Sequence, residues 1–167
     1  MRAFLGMIAA TCLVVSGALA EPARAAPLTD DALKAMLEGL GYSTEESTGN
    51  GTKNYTIKDT LPDNTLTFSI TLQLSPDKTL LWIFAVLYGI PEGKTPPNEV
   101  LLGLLKTNDD IAPEVFSYSA SNKAFFLNYP TAAGEVTPAM LRQRLKTLIS
   151  TLASTRPLWD PQKWSGQ

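Results

Sequence analysis

The stretch that decides the fold is Asn64–Ile90, NTLTFSITLQLS-PDK-TLLWIFAVLYGI. From Leu66 to Leu74 apolar and polar residues alternate strictly. Leu66, Phe68, Ile70, Leu72 and Leu74 take one side, and Thr67, Ser69, Thr71 and Gln73 the other. A period of two marks a half-buried antiparallel strand. Ser75-Pro76-Asp77-Lys78 has the chemistry of a type I turn, with proline presetting φ at the second position. Closing such a turn with a left-handed residue and a bulge puts Lys78 at φ > 0 and pairs Ser75 with Thr79. That register places Trp82, Phe84, Val86 and Tyr88 on the face of Leu66, Phe68, Ile70 and Leu72. The second strand is apolar on both faces, as a central, covered strand is. Its Leu81/Ile83/Leu87 side is either core or a surface for a partner or a second copy.

Around this hairpin the chain has room for one domain. Residues 1–20 have a basic start at Arg2, an apolar run and the end Ala18-Leu19-Ala20, the pattern of a secretory signal peptide. Cleavage is expected after Ala20, with Ala25 as the alternative. The expectation is therefore an exported, bacterial-type protein, periplasmic or secreted, with no membrane segment once the signal is removed. Residues 21–27 read as a linker, 28–155 as the domain and 156–167 as a C-terminal tail.

The chain has no histidine, and its single cysteine, Cys12, lies within the signal. Thiol nucleophiles, Cys/His zinc sites and every triad with a histidine base are thereby excluded from the mature protein. With 14 basic and 16 acidic residues and no run of either sign, it carries no footprint for nucleic acid. No cofactor, metal or catalytic residue is expected. Two Asn-x-Thr triplets, at Asn50 and Asn54, are glycosylation acceptors only in a eukaryotic secreted protein.

Before the hairpin, Leu28-Thr29-Asp30-Asp31 opens a helix with Thr29 as cap, Leu33, Met36, Leu37 and Leu40 as its stripe and Gly41 as its end. Ser43–Lys53 reads as a polar loop whose adjacent Glu45 and Glu46 have no fixed geometry for acid/base work. Asn54–Asp59 reads as an edge strand protected by Lys58. After the hairpin, PEGKTPP (91–97) connects to a helix capped by Asn98. In that helix Val100, Leu101, Leu102, Leu104 and Leu105 cover more than one face, so it is either sandwiched or turned toward another subunit. Asp109 and Asp110 lack the spacing of a calcium loop.

PEVFSY (113–118) and KAFFLNY (123–129) form a second hairpin. Thr137-Pro138 starts the last helix, striped by Leu141, Leu145, Leu148 and Leu152, with Arg142, Arg144 and Lys146 expected in solvent. Trp159 either folds back or hooks a neighbour.

The fold class is thus α+β, in the order α-β-β-β-α-β-β-α, an antiparallel sheet of about five strands with helices packed on it. That order, with LLGLLKTN, APEVFSYSASNKAFFLNYP and a final amphipathic helix, resembles the type III secretion chaperone-like fold, shared by YbjN-type proteins. The resemblance spans Leu28 to about Ala153. It implies a small, commonly dimeric domain that binds proteins without catalysis, its middle helix forming the dimer contact. The chaperones act in the cytoplasm, and the export signal is a departure from them.

The leading expectation is an exported, non-catalytic protein-binding or structural module, a possible homodimer. Its candidate contacts are Val100, Leu101, Leu104, Leu105, Leu81, Ile83 and Trp159. Two alternatives stay open. One is a carrier of small hydrophobic ligands, with a pocket between sheet and helices lined by Trp82, Phe84, Tyr88 or Phe126. The other is a hydrolase using carboxylates alone.

Overall fold

The computed structural model describes residues 27–49, 51–63, 65–90, 95–160 and 162; residues 1–20, expected to be a signal peptide, lie outside them. Its elements are α1 (Asp30–Gly39), β1 (Glu45–Gly49), β2 (Thr52–Thr60), β3 (Thr67–Leu74), β4 (Leu80–Gly89), α2 (Asn98–Ile111), β5 (Val115–Ser119), β6 (Ala124–Ala132), α3 (Pro138–Ser154) and α4 (Arg156–Trp159). The strands form one antiparallel six-stranded sheet in the order β1-β2-β3-β4-β6-β5.

The sixth strand, β1, lies in the stretch read as loop. Its pairing with β2 runs from Glu45↔Thr56 to Gly49↔Thr52, leaving a two-residue connection at 50–51 with Gly51 at φ 77°. Asn-Gly between two extended runs is the strongest short hairpin signal. β2 is consequently internal, and Lys58 pairs with Glu45 of β1 at 2.7 Å instead of guarding an edge.

Lys78 takes φ 59°, as the turn chemistry requires, and its N–H donates to Ser75 O at 2.9 Å. The strand register nevertheless differs from the expected one by one residue. Ser75 N–H donates to Leu80 O, and Leu74 faces Leu81, Gln73 faces Trp82 and Thr71 faces Phe84. The cause is Asp77. Its carboxylate accepts from Ser75 Oγ at 2.5 Å, and from Thr79 N–H and Oγ1 at 3.1 and 2.8 Å, which draws Thr79 into the loop. The Ser75 and Thr79 hydroxyls hold that carboxyl below its ordinary value. A slip of one residue exchanges the faces of a whole strand. Leu81, Ile83 and Ala85 therefore join Ile70, Leu72 and Leu74 in the core, all at 0% exposure. Trp82, Phe84 and Val86 turn to the opposite face.

The helices cover one side of the sheet. Leu33 and Leu37 of α1 pack with Leu141, Leu145, Leu148 and Leu152 of α3 against Tyr55, Ile57, Leu72 and Ile83. The expected caps form at α1 and α3: Thr29 accepts from Ala32 N–H at 3.1 Å and Thr137 from Met140 N–H at 3.2 Å. At α2 Pro97 occupies the cap position without a side-chain bond, so Asn98 is not a cap. Replacing Thr137 with alanine leaves a first-turn donor unmet and is expected to lower stability by about 1 kcal/mol in urea unfolding, whereas glycine costs only a few tenths.

Two residues assigned to solvent or tail are structural. Arg144 lies 4.7 Å over the Tyr129 ring and donates to its hydroxyl. Trp159 is buried, its indole N–H donating to Leu152 O at 3.0 Å. The Arg156–Trp159 segment thus belongs to the domain, anchored by Arg156 on Asp160 at 2.9 Å and on Asp63 at 3.5 Å.

Candidate functional site

An α-helix pointed toward a sheet edge leaves part of its circumference bare unless something else covers it. α2 lies against β5 and α4. Val100 and Leu104 point inward and are buried. Gly103 permits the approach of α4, since a Cβ there would stand 3.0 Å from Leu158 Cδ2. The far side carries Leu102 and Leu105, exposed at 66% and 63%. Beside them Tyr118 of β5 is half exposed, its ring 5.6 Å from that of Phe125. Leu101, Leu104, Leu105, Phe116, Tyr118 and Phe125 line a groove of about 260 Å³ between helix and strand. Exposed apolar surface of this kind makes the groove a candidate site for a protein or an apolar ligand.

β5 is an edge strand, and its free side is partly closed. The Asn108 side chain accepts from Phe116 N–H at 2.7 Å and donates to Phe116 O at 3.2 Å. A single amide thereby imitates one residue of a neighbouring strand, which blunts the edge against indiscriminate pairing. The opposite edge, β1, is polar: Glu45 pairs with Lys58, and Glu46 with Lys53 and Lys34.

Of the seven expected contact residues the structure gathers Val100, Leu101, Leu104 and Leu105 on α2, and only Leu105 is fully outside. Leu81 and Ile83 are sealed beneath the helices, and Trp159 is packed into its own domain, so none of these three is available to a partner. Leu102 and Tyr118 complete the surface. Leu102 sits roughly 300° before Leu105 on a helical wheel of about 100° per residue, hence on the same side. Tyr118 is legible in the sequence only as a member of the second hairpin.

The sheet's other face is open among the described residues. There Trp82, Phe84 and Phe126 come together, with Phe84 and Phe126 centroids 6.0 Å apart and tilted by 59°. The expected place for them is between sheet and helices; the register of β4 moves them outside. The Tyr88 side chain lies outside the described residues.

The acidic pairs do not converge. Glu45 and Glu46 are consecutive strand residues and point to opposite faces. Buried Glu114 accepts from Thr151 Oγ1 at 2.5 Å, while its second oxygen has no partner among the described residues. Burial pushes its carboxyl above the ordinary range, against the lowering effects of Thr151 and Arg144. It lines neither groove. Among the described residues no three His, Cys, Asp or Glu side chains cluster as metal ligands would, and no helix is long and apolar enough to cross a membrane.

No protein-family model matches the chain, and no curated protein is significantly similar to it. Solved structures are. A chain of the HopA1–SchA chaperone–effector complex is 14% identical, with a TM-score of 0.50 over 74% of this chain and 89% of that one. An uncharacterized protein from Methanothermobacter thermautotrophicus is 14% identical, with a TM-score of 0.57 over 83% and 100%. A chain of the ExoU–SpcU complex of the type III secretion system of Pseudomonas aeruginosa is 15% identical over 76% and 97%, at a TM-score of 0.49. At these identities the likeness is one of fold. The α+β architecture expected from the element order is the chaperone-like one, with six strands in place of five.

Proposed function

We propose that the chain is an exported, non-catalytic protein-binding module that pairs with a second copy of itself through the α2–β5 surface. The observation that carries this reading is the exposure of Leu102 and Leu105, two large aliphatic side chains on one helix face beside half-exposed Tyr118. A two-fold axis through such a helix sets the same patch against itself, as an isologous interface requires. The chaperone-like fold agrees with protein binding. The absence of histidine from the sequence, and the seclusion of Glu114 under Thr151, agree with a role other than catalysis.

Sedimentation of the purified protein over a micromolar concentration series tests the pairing. The expected mass is twice that of the chain, and Leu105→Asp is expected to weaken association by roughly a hundredfold, since it places a charge in a desolvated contact. A monomer at every concentration, with Leu105→Asp indistinguishable from it, contradicts the reading. Export is tested separately by N-terminal sequencing of the purified protein, which is expected to start at Glu21, or at Ala26 if the alternative site is used.

A further inference from the structure

We propose that the open face of the sheet carries a second site, a groove that binds a neutral oligosaccharide. The groove measures about 330 Å³ and crosses β3, β4, β6 and β5. It is an open, shallow groove along the sheet surface, not an enclosed cavity. Trp82, Phe84 and Phe126 form its aromatic part, and Gln73, Asn128 and Asn122 its hydrogen-bonding part, with serines at the edge.

Charge excludes the commoner ligands. Among the described residues no lysine, arginine, aspartate or glutamate lines the groove. A phosphate, a carboxylate or a basic peptide therefore finds no counter-charge there, and burying its own charge would be unfavourable. A sugar ring has the complementary character. It is uncharged, presents a face of C–H bonds suited to an aromatic ring, and is rimmed by hydroxyls that both donate and accept. Trp82 is 37% exposed, so a large part of its ring is available for such stacking.

The amides are held from behind. Gln73 Nε2 donates to Thr52 Oγ1, and Asn128 Nδ2 donates to Ser117 Oγ at 2.7 Å and to Val115 O at 3.4 Å. Their carbonyl oxygens take no partner among the described residues and are the acceptors left for a ligand. Fixing these side chains in advance lowers the ordering cost of binding. A polypeptide is the poorer occupant. Peptides add to sheets at edges, through unpaired backbone groups. Here β3, β4 and β6 are internal strands, already paired on both sides. Among the described residues the groove shares only Ser117 with the α2–β5 surface.

The test is calorimetric and tryptophan-fluorescence titration of the purified protein with two neutral probes, cellopentaose and chitopentaose. Saturable binding of at least one is expected, with Trp82→Ala weakening it by roughly tenfold or more and Trp82→Phe retaining most of the affinity. Leu105→Asp is expected to leave sugar binding unchanged even where it separates the dimer, which distinguishes failure of this site from failure of the pairing. Thermal unfolding of each variant controls for folding. The proposal is overturned if neither probe saturates at millimolar concentration, or if Trp82→Ala folds normally and binds as well as wild type. It is equally overturned if a photo-crosslinker at position 82 is trapped by a polypeptide and the sugars do not compete.

Discussion

Ile83→Ala is expected to destabilise the protein by about 2–5 kcal/mol in denaturant unfolding, while Trp82→Ala, one position away and far larger, is expected to cost only about 1–2 kcal/mol. The size of the contrast follows from the register of the β3–β4 hairpin. Ile83 is at 0% exposure opposite Leu72, beneath the helices. Truncating it removes apolar area from the core and leaves a cavity that close packing cannot fill. Trp82 stands over Gln73 on the uncovered face, 37% exposed, so its loss removes packing on the open side of the sheet and leaves no enclosed cavity. The register read from turn chemistry alone reverses the ranking, with the tryptophan in the core. Two urea curves therefore decide between them, and equal losses at the two positions would refute the observed pairing.

The second large effect concerns Glu114. Its residue exposure is 2%, one of its oxygens has no partner among the described residues, and burial raises its protonation range. Its folded value lies above its unfolded one, so the folded state binds the proton more tightly. The favourable contribution is complete below the ordinary value of 4.5 and is lost as pH rises through the folded value. Above that window a charge is buried, relieved only in part by the Thr151 hydroxyl and the more distant Arg144. Glu114→Gln keeps an acceptor for Thr151 and removes the charge. At neutral pH it is expected to be more stable than wild type by about 1–2 kcal/mol, with no difference near pH 4. Unfolding free energies measured across that range check this. Wild-type and variant curves that run parallel would show that Glu114 does not titrate in the window.

Much of the architecture is legible in the sequence alone. The alternation from Leu66 to Leu74, the positive φ at Lys78, the threonine caps and the leucine stripe of α3 all follow from local rules, and all are present. What escapes a local reading is non-local or masked by polarity. The register turns on Asp77 gathering three hydrogen bonds from Ser75 and Thr79, a network that turn propensities do not encode. β1 reads as loop because Glu45–Thr48 are exposed throughout, so the strand has no apolar face and only the Asn-Gly signal betrays it. Arg144 reads as solvated because its ring partner, Tyr129, lies on another element. On α2 the excess of leucine is readable. Which leucines face outward depends on where β5 and α4 dock, and neither position is written into the helix.

The most direct test of the proposed pairing surface places a photo-reactive amino acid at Leu105 in the full chain, in the cells that express it, with a second position, Lys58, as control. The expected result is a covalent product of twice the chain's mass from position 105 and none from position 58. The contradicting result is the absence of any polypeptide adduct at Leu105, or equal adducts from both positions, which would leave the exposed leucines of α2 without an interface to explain them.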